Sequence, residues 1–185
     1  MNQIFLKKVL SIMLVLVFAA GTLSPATYAY AQDEEPQRNL VQLAYAVNQE
    51  GSFAGQFDTL FAAIMAADPL VLETLSSSDE DYTVFAPTDD AFSALGIDET
   101  NVNTMPVEDL TQILLYHVAQ GQLLAEDVLM ADQIETLQGG SISQEDGTLT
   151  DSQGRVVSII ATDLLATNGV IHAIDGVLLP FSPAE

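Results

Sequence analysis

At Gly121 the spacing of apolar residues changes. Before it, apolar side chains recur three and four positions apart. After it they sit in short runs with turn residues between them. A period near 3.6 requires a helix with one buried face, and short runs bounded by turns require strands. An early β-rich run at 82–86 (YTVFA) adds one strand among the helices. Helices first and strands later predict an α+β domain on a largely antiparallel sheet.

Individual elements follow from the same spacing. Asn39 is placed to cap a helix whose inner face is Leu40, Leu43, Ala44 and Val47, ending at Gly51. A second helix, capped by Ser52, carries Phe53, Phe57, Leu60, Phe61 and Ile64. Asp68 and Pro69 open a third with Val71, Leu72 and Leu75. Thr88 or Asp89 caps a fourth, with Phe92 and Leu95 inward. Pro106 announces a fifth, with Val107, Leu110, Leu114 and His117 or Val118 on its inner face. Strands are expected at 134–137, 141–143, 148–150, 156–160 and within 168–180, with hairpin turns at 146–147 and 153–154.

The first 31 residues have the layout of an export signal. Lys7 and Lys8 precede an uncharged apolar run at 9–20, and Ala29 and Ala31 form a small-x-small cleavage pattern. A retained signal anchor is the alternative, although the run is short for a span of about 20 residues. Residues 32–36 form a polar lead-in, 37–181 the folded domain and 182–185 a tail. Cleavage leaves a length that suits a single domain with its own core.

Charge narrows the partners. The chain has 26 acidic and four basic residues, and Lys7 and Lys8 depart with the leader. Such a chain is repelled by nucleic acid and by anionic lipid. Basic or polyvalent-cation partners fit it better, weak cation binding goes with it, and a high-salt habitat is a further reading because salt screens self-repulsion. There is no cysteine, so thiol catalysis and thiolate metal sites are excluded. After the leader, no hydrophobic stretch is long enough to insert stably in a membrane.

Three segments carry a resemblance. They are 82–92 (YTVFAPTDDAF), 114–118 (LLYHV) and 168–180 (NGVIHAIDGVLLP). Together, in this order and separation, they resemble the fasciclin-type (FAS1) extracellular domain over roughly residues 37–181. The resemblance implies a wedge-shaped α+β fold, a twisted, antiparallel-rich β-sandwich packed with several short helices. It implies a secreted or surface-attached protein engaged in cell adhesion or matrix contact, binding a protein or polysaccharide, with no enzymatic activity and no cofactor.

It also implies contact residues. In animal members a tyrosine-histidine pair is implicated in integrin binding, and Tyr116 and His117 occupy its position, beside Leu114, Leu115 and Val118. A second motif sets an acidic residue and aliphatics before the Asn-Gly turn, and Asp163, Leu164 and Leu165 occupy it. The animal form has proline before the aspartate and isoleucine after it, where this chain has Thr162 and Leu164.

Each candidate also has a structural reading. The chain has only two histidines, His117 and His172. Both are expected to be core histidines bonded to backbone, because buried polar groups are normally satisfied. Tyr116 is expected on another side of its helix, as an exposed aromatic anchor. Asp163 is expected to be exposed near the turn at Asn168. A zinc pair of the two histidines lacks any HExxH or His-x-His spacing. The acidic clusters at 79–81, 89–90 and 145–146, and Asp151, do not follow a calcium-loop pattern. No G-x-S-x-G elbow supports a hydrolase. Carriage of a small apolar ligand such as a pigment is the alternative function, as the chain is rich in Ala, Leu, Val and Phe.

Overall fold

The structure is a computed structural model and describes residues 37–180. The expected leader, the lead-in and the tail lie outside the described residues. Helix α1 (Leu40–Gln49) begins at the predicted cap. The Asn39 carboxamide oxygen accepts from the Gln42 N–H at 2.9 Å, and the Gln42 side chain accepts from the Asn39 N–H at 3.2 Å. This reciprocal pair satisfies two of the helix's orphan donors.

The second helix is shorter than its apolar spacing suggests. Residues 51–57 are turns, and α2 spans Asp58–Ala66. Gly51 and Gly55 take positive φ, and the buried Asn48 side chain holds the turn by accepting from the Phe57 N–H at 2.9 Å. The cap of α2 comes from far along the chain. Asp89 accepts from the Thr59 N–H at 2.9 Å and the Asp58 N–H at 3.2 Å. An anion at the positive end of a helix is favourable, so Asp89 serves α2 rather than its own helix. Helix α3 spans Pro69–Ser76 with Asp68 as cap.

Strand β1 (Tyr82–Pro87) leads into the short α4 (Asp89–Ser93), where Phe92 is buried but Leu95 beyond it is exposed, against expectation. A 3-10 turn at Val102–Thr104 precedes α5 (Val107–Tyr116). Val107 also faces solvent, because the helix only turns its buried side inward from Leu110.

The remaining elements are β2 (Val118–Gln120), α6 (Ala125–Met130), β3 (Gln133–Glu135), β4 (Ser141–Glu145), β5 (Thr148–Thr150), β6 (Val156–Ala166) and β7 (Gly169–Ile174). Among the described residues, seven strands form one sheet in the order β2-β1-β7-β6-β5-β4-β3. All neighbours are antiparallel except β1 and β7. The sheet curls until its end strands almost meet, through a single bridge between Ala119 and Thr136. This is an α+β fold with a sheet wrapped nearly into a barrel.

Two apolar clusters result. One lies between the helices and the sheet and includes Leu40, Phe57, Leu60, Phe92, Leu110 and Ile171. The other fills the curled sheet with Phe85, Tyr116, Ile142, Leu149, Ile174 and Leu178. The junction of β1, β7 and the helices is tied by Asn168, which is 1% exposed. Its oxygen accepts from the Leu40 N–H at 2.8 Å, and its amide donates to the carbonyls of Leu75 and Ser77 at 3.0 and 2.6 Å.

Candidate functional site

Strand β6 is the longest strand and the least regular. Its pairing with β7 slips twice, between Ile159 and Ala161 and again between Ala161 and Leu164. Each slip inserts an extra residue on β6, which bends the strand and re-aims its side chains. Asp163 sits in the second slip with φ +60, a left-handed conformation that few non-glycine residues adopt, aspartate more readily than most.

Side chains around it hold that conformation. The Asp163 N–H donates to His172 Nδ1 at 3.3 Å, and its carboxylate accepts from the Ala125 N–H, the first residue of α6, at 2.9 Å. His172 Nε2–H donates in turn to the Leu123 carbonyl at 2.8 Å. In that pattern Nδ1 is the acceptor and Nε2 the donor. The ring is fully buried and stacked on Phe85, with centroids 5.8 Å apart. His172 is therefore a clamp between β7, the bulge and the segment leading into α6.

Asp163 itself is exposed, Leu164 is half-buried against the helix-side core, and Leu165 is 60% exposed. Ile160 and Val156 are also exposed on the same strand. The sequence predicts a strand ending at 160, with Asp163 near a turn. The strand instead continues through the bulge to Ala166. Thr162 and Asp163, breaking the apolar run, were the available signal.

Tyr116 and His117 lie elsewhere and inward. Tyr116 is fully buried, which corrects the expectation of an exposed anchor. The end of α5 plunges into the curled sheet. There the Tyr116 hydroxyl donates to the Ser141 carbonyl at 2.7 Å and accepts from the Ser152 N–H at 3.1 Å. Burial pushes its pKa above the ordinary tyrosine value, against the pull of the Ser152 hydrogen bond.

His117, 3% exposed, donates from Nδ1 to the Ile113 carbonyl at 2.8 Å and accepts at Nε2 from the Leu178 N–H at 3.0 Å. Burial lowers its pKa to about 4, outweighing the Ile113 hydrogen bond. Beside it, Asp151 accepts from the N–H groups of Leu179, Gln153 and Arg155 at 2.8–3.0 Å. Its Oδ2 also accepts from Arg155 Nε at 2.9 Å, with Nη2 at 2.7 Å as a charge contact without an aligned hydrogen bond. Burial raises the Asp151 pKa, but these backbone donors and the guanidinium together hold it below the usual carboxylate range. His117 and Asp151 thus fasten the C-terminal segment 177–180 to the sheet.

These arrangements bear on the other chemistries. All four histidine ring nitrogens are engaged with backbone groups. Among the described residues, no group of three or more His, Cys, Asp or Glu side chains is placed to hold a metal ion. A cavity of about 30 Å³ lies between α1, α2, α5 and the sheet, lined by Leu40, Leu60, Phe61, Leu114 and Ile171 among others. An apolar cavity of about 150 Å³ takes benzene, so this one is too small to hold a pigment as it stands. Among the described residues, no single helix is long and apolar enough to cross a membrane.

Known proteins share this plan. A solved domain pair, "Novel Fold Revealed by the Structure of a FAS1 Domain Pair from the Insect Cell Adhesion Molecule Fasciclin I", superposes with a TM-score of 0.60 at 17% identity. The match covers 78% of this chain and 51% of that one. Protein sll1483 of Synechocystis is 39% identical over 128 residues, 67% of each chain. The transforming growth factor-beta-induced protein ig-h3 of Sus scrofa is 36% identical over 127 residues, 68% of this chain but 18% of that protein. Immunogenic protein MPB70 of Mycobacterium bovis is 38% identical over 136 residues, 68% of this chain and 64% of that one. The model of the fasciclin domain matches residues 55–180. By this match and these identities, the chain belongs to the fasciclin domain family.

Proposed function

We propose that this chain is an exported, non-enzymatic adhesion module that binds a surface or matrix protein or polysaccharide through the outer side of β6. Its contact residues are Asp163, Leu164 and Leu165, with Ile160 extending the strip. The observation that carries this reading is the bulge. A non-glycine residue is held at positive φ, exposed, with large aliphatic side chains solvent-facing beside it. Strained, over-determined backbone of this kind clusters at recognition sites. Membership of the fasciclin domain family supports the adhesive role.

Tyr116 and His117, buried away from β6, take a structural part and leave the contact to the strip. The acidic surface assists by steering cationic groups, and the aliphatic strip supplies the salt-resistant part of binding.

The test is capture from the source organism's surface fraction at low salt and at about 0.5 M salt, where surface charges are strongly screened. Asp163→Asn keeps the carbonyl acceptor for Ala125 and tolerates positive φ while removing the charge. It is expected to lower capture several-fold at low salt and little at high salt. Capture equal to that of the parent at both salts would remove Asp163 from the contact.

A further inference from the structure

Asn168 is the one asparagine of this chain that is followed by glycine. That pair is the sequence most open to deamidation, because a neighbour without a side chain leaves its nitrogen unhindered. The Gly169 nitrogen, on losing its proton, attacks Asn168 Cγ. A bond forms between the two, the carboxamide C–N bond breaks and ammonia leaves. Water then opens the succinimide ring at either carbonyl, giving aspartate or isoaspartate.

The fold opposes each part of that reaction. Thr167 and Asn168 form the turn between β6 and β7, and Asn168 is buried, away from the hydroxide and water that the steps consume. Its carboxamide oxygen is held by the Leu40 N–H, and its amide group donates to both the Leu75 and Ser77 carbonyls. Attack makes Cγ tetrahedral, which pulls oxygen and nitrogen off partners at the start of α1 and the end of α3. The main chain is tied as well. Asn168 O accepts from the Tyr82 N–H at 3.0 Å, and the Thr167 N–H donates to the Arg38 carbonyl at 2.9 Å. Rotating the turn to bring Cγ onto the Gly169 nitrogen breaks these bonds too.

The product does not fit the site. Aspartate puts an oxygen where the amide nitrogen was, so an unpaired buried charge faces the Leu75 and Ser77 carbonyls. Isoaspartate routes the main chain through the side-chain carbon and lengthens it just before Gly169. Gly169 stands opposite Tyr82 in the β1–β7 pairing, with no room there for even one more carbon.

We propose that Asn168-Gly169 is a deamidation site that the fold keeps shut and that opens when the chain unfolds, making loss of the native state irreversible. Chemical change of an unfolded chain turns stability into a rate. The working lifetime of this protein is then set by how often β1 and β7 part and release Asn168. Asp146-Gly147 and Asp175-Gly176 share the glycine neighbour, but both aspartates are exposed and must lose water in place of ammonia. They serve as internal controls.

The test holds the purified protein in mildly alkaline buffer, folded in one arm and unfolded in concentrated guanidinium chloride in the other. Peptide mapping by mass spectrometry follows deamidation at Asn168. Circular dichroism after dilution reads the fraction that refolds. Because the unfolded population of a stable domain is very small, deamidation is expected to be at least about a hundredfold slower in the folded arm. In the unfolded arm, the refolding fraction is expected to fall in step with the fraction intact at Asn168, whatever happens at Asp146 and Asp175. A sample held in mildly acidic guanidinium, where the Gly169 nitrogen keeps its proton, is expected to refold fully.

Three results would overturn the proposal. The first is a smaller difference in rate between the two arms. The second is refolded native protein that carries aspartate or isoaspartate in place of Asn168. The third is refolding that fails from fresh or acidic guanidinium, where Asn168 is still intact.

Discussion

Gly169→Ala is expected to leave the protein unable to fold. Gly169 begins β7 with φ +144, a conformation that glycine reaches and L side chains rarely do. A Cβ built there would lie 1.8 Å from the Tyr82 carbonyl oxygen and 2.8 Å from its carbon. Those atoms are backbone of β1, the parallel partner of β7, and cannot step aside. The Tyr82 N–H is itself bonded to the Asn168 carbonyl at 3.0 Å. Relief would require parting two central strands whose residues between 83 and 86 and between 170 and 173 are nearly all buried. The loss should exceed about 5 kcal/mol, comparable to the whole stability of many domains. Circular dichroism and gel filtration of the purified variant check it. A monomeric variant melting within about 5 °C of the parent, a shift near 1–2 kcal/mol at this size, would contradict the expectation.

The second large effect is acid sensitivity through His117. In the folded chain its pKa is about 4, and in the unfolded chain it returns to the ordinary 6.5. Above pH 6.5 both states are neutral and the stability is complete. As pH falls from 6.5 to 4, the unfolded chain takes up a proton that the native state refuses, and stability drops. At about 1.4 kcal/mol per unit, the total is about 3 kcal/mol. Below pH 4, protonation of the native ring would remove the acceptor for the Leu178 N–H. Asp151, held low, adds its own loss only further down. Denaturant unfolding of the parent and of His117→Gln from pH 7 to pH 4 isolates the effect. The glutamine variant should start less stable and lose about 3 kcal/mol less across that range. Parallel curves would mean that His117 is not the group responsible.

These two residues also mark what was legible in the sequence. The paired signature of 82–92 with 168–180 is physical as well as familial. It is the central parallel pair β1 and β7, locked by Asn168 and Gly169. Apolar spacing located α1 and α3 because each buries one side against one core. It failed where an element serves two cores. Leu110 and Leu114 on α5 face the helix-side cluster, while Tyr116, at the helix end, enters the curled sheet. A one-faced helical pattern leaves such a residue on the outside. It also failed where a distant side chain decides the matter, as when Asp89 fixes the start of α2 and Asn48 the turn before it.

The bulge was hidden for a related reason. A strand is recognised by period two, and each inserted residue resets that period. The run 156–160 therefore looked like a complete strand, and Asp163, Leu164 and Leu165 like loop residues. Their exposure was foreseen for Asp163, but the left-handed backbone and its hold by His172 and Ala125 are consequences of tertiary contact. His172 interrupts an apolar strand because the bulge needs a side chain with an acceptor on one edge and a donor on the other. No fully apolar side chain offers both.

In the proposed function the family's two motif positions divide into a contact strip on β6 and an interior pair at the end of α5. The most direct test is attachment strength to immobilised surface fraction for Leu165→Asp against Tyr116→Phe, each verified as folded. Leu165→Asp, a change at a 60% exposed position, is predicted to weaken attachment at least about tenfold, as for a residue central to an interface. Tyr116→Phe, which removes a hydroxyl bonded only within the protein, is predicted to leave attachment unchanged while lowering stability by about 1–2 kcal/mol. Attachment that survives Leu165→Asp and fails in a folded Tyr116→Phe would contradict the account.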